Sequence, residues 1–213
     1  MKLVALVSSG IDSPVATYLL SRYAEEMILL HANNQPFTDD REIKKFITLA
    51  TFLKTILPCK VEAYLVPHGK ALETYKQHSD PKFTCIFCKR MMVRYAEALA
   101  HKEHAEAIVM GDSLGQVASQ TLQNLRVVDE AVHIPILRPL IGYDKNDTIE
   151  IAKKIGTYDL SIAPADGCDA VPMKPSTRAQ IATIAHEERH LHVENLVQDA
   201  VSHAVVVNLS KKP

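Results

Sequence analysis

The sequence predicts an α/β protein whose parallel sheet is covered by helices on both faces. Three observations predict it. The chain opens on an apolar run, Leu3, Val4, Ala5, Leu6 and Val7, which reads as a strand buried on both faces. Small polar residues follow at once, Ser8, Ser9, Gly10, Asp12 and Ser13, before a second apolar stretch of helical character. Beyond it, short apolar runs keep alternating with stretches of helical periodicity, the pattern of repeated βαβ units.

Each element then follows in order. Ser13 and Pro14 are the predicted N-cap and first residue of the opening helix. Residues 27–31 form a second apolar strand ending in His31. Residues 39–57 read as an amphipathic helix, with Ile43, Phe46, Ile47, Ala50 and Leu53 at helical spacing. Residues 61–66 are a third strand and residues 69–78 a short helix. A long loop with Pro81 and the cysteines comes next, and Cys85 and Cys88 stand where a helix over residues 89–104 begins. Residues 107–110 are a fourth strand, 114–125 a helix and 134–137 a fifth strand; residues 144–155 are a helix closed by Gly156. The charged helical stretch 176–202 and the strand-like 204–207 lead to a division into a main domain, 1–177, and an extension of the same globule, 178–213.

Bulk properties narrow the functional classes. The chain has 213 residues, 47% of them hydrophobic, with 24 Lys+Arg against 25 Asp+Glu and a net charge of −1. A general nucleic-acid-binding module is strongly basic, so RNA binding here needs a local patch, for which Lys89, Arg90 and Arg94 with Arg126 and Arg138 are the candidates. No apolar segment approaches the roughly 20 residues of a membrane helix, and the opening run is too short for a signal peptide. A cytoplasmic location is expected. There, four cysteines are more often thiols, metal ligands or redox groups than disulfides.

In a parallel sheet, ligands sit beyond the carboxyl ends of the strands. Residues 8–13, His31 and Gly111 each follow a predicted strand and belong on one rim. The first of these loops joins a buried strand to a helix N-terminus, where free N–H groups and the helix dipole favour a phosphate. No Lys follows Gly10 as in a Walker A motif, and one Gly is too few for a dinucleotide fingerprint. Cys85-Ile86-Phe87-Cys88, with Lys89 and Arg90 behind it, places two thiols where a helix N-terminus and cations lower their pKa. Cys168, in a polar loop, is the candidate third ligand, and Cys59 reads as a core residue. His186-Glu187-Glu188-Arg189-His190 is a literal HExxH, but its charged centre reads as a solvated helix face rather than a zinc-protease cleft.

Residues 8–13 resemble the Ser-Gly-Gly-X-Asp-Ser signature of the PP-loop ATP pyrophosphatases, with Ser9 in the place of a Gly, a change that costs backbone freedom. Gly111-Asp112-Ser113-Leu114-Gly115-Gln116-Val117-Ala118-Ser119-Gln120-Thr121 is nearly identical to a block of the tRNA 4-thiouridine synthetase family, whose catalytic domain is a PP-loop domain. The similarity extends to His31, Pro36 and Thr38, to Cys85 through Met92, to Leu137-Arg138-Pro139, to Asp144-Lys145 and to Asp166-Gly167-Cys168. The fold this implies is a parallel-sheet α/β/α sandwich of the PP-loop, adenine nucleotide alpha hydrolase-like type.

The activity it implies is ATP-dependent adenylation of a tRNA uridine followed by sulfur transfer. The resemblance assigns the nucleotide to Leu6, Val7, Ser8, Ser9, Gly10, Asp12, Ser13, His31, Ala32, Lys89, Gly111 and Gln120. It assigns Mg²⁺ to Asp12, catalysis to Asp12, Cys85 and Cys88, and a [4Fe–4S] cluster to Cys85, Cys88 and Cys168. The family carries an RNA-binding region with a THUMP domain, whereas this sequence starts at the PP-loop strand. Access to tRNA through a separate THUMP-type subunit is therefore expected, with the sulfur donor unassigned and a homodimer compatible with the reading. Two alternatives stand beside it: a PP-loop enzyme that thiolates a non-tRNA acceptor, and a nucleotide-binding protein without catalysis, to which Ser9 points.

Overall fold

The computed structural model describes residues 1–165 and 167–210. Asp166 of the motif match, and residues 211–213 of the extension, lie outside the described residues. β1 (Lys2–Leu6) pairs in parallel with β2 (Glu26–Asn33) on one side and β4 (Ala107–Val109) on the other. β2 continues to β3 (Lys60–Pro67), and β4 to the short β5 (Ile136–Leu137), all parallel. β6 (Val205–Val206) adds an antiparallel edge to β3, giving the order β5-β4-β1-β2-β3-β6.

Alternation along β1 sorts its residues between two cores. Leu3, Ala5 and Val7 pack with α1 (Asp12–Ser21), α2 (Asp40–Ile56) and α6 (Lys145–Ile155) on one face. Val4 and Leu6 face the other layer, where α3 (Gly69–His78), α4 (Thr84–Glu103) and α5 (Leu122–Asp129) lie. That explains the unbroken apolar run, since a strand with helices on both sides has no solvent face. The short α7 (Tyr158–Ile162) lies beside α2 and α6. In the extension, α8 (Ile181–Glu188) joins the second core through Ile184, and α9 (Val193–Ser202) packs against α4.

Capping chemistry sets several boundaries. The Asp39 side chain accepts from the Arg41 N–H at the start of α2, and Asp144 accepts from Asn146 and Asp147 at the start of α6. Gly156 closes α6 at φ +81°, a conformation glycine adopts without strain. Three sequence expectations need correction. α1 starts at Asp12, so Ser13 is not the N-cap; its hydroxyl instead accepts from the Ser8 N–H at 2.8 Å. Cys85 and Cys88 are not in a loop: the Asp80 side chain caps a 3₁₀ turn at Pro81–Phe83 that runs directly into α4 at Thr84. The helix expected at 114–125 begins only at Leu122, with Thr121 as its N-cap, because Gly115 takes φ +76° and Val117 is extended.

Candidate functional site

Where β1, β2 and β4 end, their loops surround a cleft of about 300 Å³, at the small end of the usual range for ligand pockets. Leu6, Val7, Ser8, Gly10, Asp12 and Ser13 line it from the first loop, His31 and Ala32 from β2, and Gly111 and Gln120 from the loop after β4. Cys88 and Lys89 enter from the first turns of α4. Of the residues assigned to the nucleotide from sequence, Ser9 alone does not line the cleft; its hydroxyl donates to the carboxylate of Glu42, a cleft residue, at 2.7–2.8 Å. Ser9 is not among the residues of positive φ, so a side chain is held here without backbone strain.

Close approach explains Gly111. A Cβ there would come within 2.7 Å of the Ser13 nitrogen, so the loop after β4 packs directly onto the first turn of α1. Loop and helix are thereby one rigid wall. Within the first loop, the Ser8 and Ser13 hydroxyls stand 3.0 Å apart, and the Gly10 N–H donates to Ser8 Oγ at 3.2 Å.

The electrostatics of the wall centre on two carboxylates. Asp112 accepts from Lys89 Nζ at 2.6 Å, Arg138 Nε at 3.0 Å and Gln120 Nε2 at 3.3 Å. Burial raises the Asp112 carboxyl, but the Lys89 ammonium and Arg138 guanidinium outweigh it and hold the carboxyl below its ordinary range. Asp12 pairs with Lys145 Nζ at 2.6 Å. Sequence reasoning missed Asp112, Lys145, Glu42 and Asn34 as site residues, although the first two lie inside quoted motifs.

Three polar atoms of cleft residues are buried without a partner: His31 Nε2, Asn34 Oδ1 and Gln120 Oε1. His31 Nδ1 stands 2.8 Å from the Val7 carbonyl, which can only accept, so Nδ1 carries the proton and Nε2 presents a bare lone pair. Burial pushes the His31 pKa down, against the Val7 hydrogen bond and the Glu42 charge, and its ring stacks on Phe46. The Gln120 amide is oriented by its bond to Asp112, which turns Oε1 outward as an acceptor. The cleft thus holds three acceptors in want of donors, a set that the amino and hydroxyl groups of a nucleoside satisfy.

The thiols are partly gathered. Burial raises the Cys85 thiol, and the charge of Cys168 raises it further; burial, Cys85 and Cys168 push Cys88 up to about 12. Cys168 thus acts on both Cys85 and Cys88, while Cys59, also raised by burial, sits just before β3 at the opposite end of the sheet. The expectation of lowered thiol pKa values fails because burial outweighs Lys89, the cation acting on both thiols. Among the described residues no group of three or more His, Cys, Asp or Glu side chains is arranged to hold a metal ion.

Two further expectations are corrected. Glu188 is not on a solvated face: it is buried and takes hydrogen bonds from Arg90 and Arg94 at 2.7–3.1 Å. Burial raises its carboxyl, yet the two arginines bring it down to about 2. Arg90 and Arg94 are consequently not available to RNA. Glu187 accepts from the Asp80 N–H, while His186 and His190 face an open depression with His78 and His192. No helix among the described residues is long and apolar enough to cross a membrane.

Comparison with known proteins bears on this geometry. The family described as thiamine biosynthesis protein (ThiI) matches residues 1–193. A probable tRNA sulfurtransferase of Methanosarcina mazei is 40% identical over 209 residues, covering 98% of this chain and 52% of the relative. A crystal structure of a 4-thiouridine synthetase–RNA complex with bound ATP superposes with a TM-score of 0.91 at 31% identity, over 97% of this chain and 55% of that one. The NMN synthetase of Francisella tularensis, at 13% identity and a TM-score of 0.57 over 97% of this chain and 89% of its own, shares the fold. The chain spans about half the length of the curated relatives it matches.

Proposed function

The chain belongs to the ThiI family, and from that premise we propose that it is an ATP-dependent sulfurtransferase that adenylates a tRNA uridine and replaces its O4 with sulfur. The observation that carries the reading is the cleft itself. Unpaired acceptors at His31, Asn34 and Gln120 suit a nucleoside, and the N-terminus of α1 beside Ser8, Gly10 and Ser13 suits the phosphates.

In this reading the uridine O4 attacks the α-phosphorus, an O4–P bond forms, and the bond from that phosphorus to the bridging oxygen breaks to release pyrophosphate. Sulfur then adds at C4, and the C4–O4 bond breaks with AMP as leaving group. N–H groups of the first loop, with the Ser8 and Ser13 hydroxyls, hold the departing pyrophosphate. Lys89, paired with Asp112, lines the cleft itself, and Lys145 stands behind the cleft carboxylate of Asp12 as its counter-charge. Mg²⁺, when bound, neutralises charge on the polyphosphate, and Asp12 is the hard oxygen ligand at hand.

Cys85, Cys88 and Cys168 handle the sulfur. Their thiols are the donor type that a [4Fe–4S] cluster needs, and they interact electrostatically, but they are not arranged as a ready metal site. When bound, a cluster would supply an iron with an open position for sulfide. The family relationship supports a cytoplasmic setting, and the family match over residues 1–193 runs past the division expected at 177/178 into the extension. Overall charge of −1, with Arg90 and Arg94 sealed by Glu188, favours tRNA binding through a further THUMP-type RNA-binding region.

The test supplies Mg²⁺-ATP, sulfide and bulk tRNA, with a THUMP-type protein added in a parallel reaction, and digests the tRNA to nucleosides for mass analysis. Formation of 4-thiouridine that requires ATP supports the reading. Release of AMP and pyrophosphate with no thiolated nucleoside in either reaction would redirect it to a non-tRNA acceptor.

A further inference from the structure

Behind Cys88 stand two buried polar side chains that the reaction above does not use. His68 lies between β3 and α3 and is 0% exposed. Its Nε2 is 3.3 Å from Cys88 Sγ, and its Nδ1 is 3.1 Å from the Tyr95 hydroxyl. Cys88 and Tyr95 are both on α4, two turns apart on one face, so the imidazole bridges them. The ring meets Tyr95 edge-on, with centroids 5.6 Å apart.

The location of the ring proton follows from the surroundings. Tyr95 is itself 0% exposed, and His68 is the hydrogen-bond partner of its hydroxyl among the described residues. Were Nδ1 protonated, the Tyr95 O–H would have no acceptor in the core, an arrangement that folded proteins avoid. Tyr95 O–H therefore donates to Nδ1. An imidazole always keeps at least one N–H, so with Nδ1 accepting, the ring proton is on Nε2, facing the Cys88 sulfur at 3.3 Å.

We propose that His68 is a positioning residue for Cys88: its Nε2–H donates a hydrogen bond to the sulfur, and the Tyr95 hydroxyl fixes the tautomer that makes this donation possible. The bond holds the sulfur of Cys88 against the wall of the cleft that this residue lines. It strengthens as negative charge accumulates on sulfur, whether Cys88 acts as a metal-bound thiolate or a sulfur carrier. His68 is thereby excluded as the base that takes the Cys88 proton, because the nitrogen facing the thiol already carries one. The inference rests on the sulfur-transfer reading for its purpose and on the structure alone for its geometry.

Two measurements on the full chain test it. In protein labelled with ¹⁵N-histidine, long-range ¹H–¹⁵N correlation should show His68 as the Nε2–H tautomer, and Tyr95→Phe should release it into a mixture. Iodoacetamide labelling followed by peptide mass mapping then compares Cys88 with Cys85 in the same molecule. His68→Leu should lower the Cys88-to-Cys85 labelling ratio about tenfold, the scale of one hydrogen bond to a charged sulfur. His68→Gln, whose amide N–H can donate, should keep the ratio within about threefold of wild type. An Nδ1–H tautomer, or equal ratios in the Leu and Gln variants, would overturn the proposal. If His68→Leu fails to fold, the tautomer in wild type and in Tyr95→Phe decides alone. Absence of ATP-dependent thiolation in the wild type would instead sink the sulfur-transfer reading and leave both measurements standing.

Discussion

Consecutive residues of α4, Lys89 and Arg90, each reach a buried carboxylate, yet the two sites they form differ in kind. Lys89 meets Asp112 at the cleft wall, and Arg90 meets Glu188 beneath the C-terminal extension. Both acids are nearly sealed, with side chains 5% and 8% exposed. Both are held below their ordinary carboxylate range by two cations. What separates them is how the cations are used. Arg90 spends its guanidinium on Glu188, Glu130 and the Val127 carbonyl, and Arg94 grips Glu188 with both terminal nitrogens. Lys89 makes one contact with Asp112 and lines an open cleft. A saturated pair in a closed core is structural, while an ammonium with spare hydrogen-bonding capacity beside a cavity can turn to a ligand. Burial alone does not distinguish function from scaffold.

The comparison breaks if variants on the cleft side destabilise the fold or variants on the extension side alter chemistry. Asp12→Ala should have the largest effect, reducing pyrophosphate release by about 10³-fold, the order expected from loss of charge stabilisation at a transition state. Its thermal midpoint should stay within a few degrees of wild type. Lys89→Met should reduce the same rate by about 10²-fold, with Asp112 still held by Arg138; a steady-state kinetic comparison checks this.

On the other side, Glu188→Gln should cost about 3 kcal/mol in urea denaturation, because two arginines lose their buried counter-charge, while the KM for ATP is unchanged. Since the Glu188 carboxyl falls from 4.5 to about 2 on folding, its contribution is fully present above about pH 4.5 and fades as pH drops toward about 2. Circular dichroism during acid titration should show that loss in wild type and not in Glu188→Gln. Ser9→Gly should do least, changing turnover by less than about threefold, since Ser9 is not at positive φ and does not line the cleft.

Much of the cleft was legible because ligand loops follow buried strands, a rule that placed residues 8–13, His31 and Gly111 on one rim, and because the Gly111–Thr121 motif carried Gln120. The missed residues were those whose meaning lies in their partners. Asp112 meets cations 23 and 26 residues away, and Asp12 meets Lys145 across 133 residues. Spacing patterns carry no trace of such pairings. Glu188 misled for the same reason: within HEERH it reads as one charge among several, and only contacts across 94 and 98 residues turn it inward. The helix expected at 114–125 failed locally, because apolar spacing at Leu114, Val117 and Leu122 obscured the turn that Gly115 imposes.

The central claim is that the cleft cleaves ATP at its α-phosphate. Product analysis with Mg²⁺-ATP and acceptor tRNA, run in parallel on wild type, Asp12→Ala and Glu188→Gln at a temperature where all three are folded, tests it most directly. The account predicts AMP and pyrophosphate in equal amounts from wild type and Glu188→Gln, and about 10³-fold less of both from Asp12→Ala. ADP and inorganic phosphate as products, or undiminished turnover in Asp12→Ala, would contradict it.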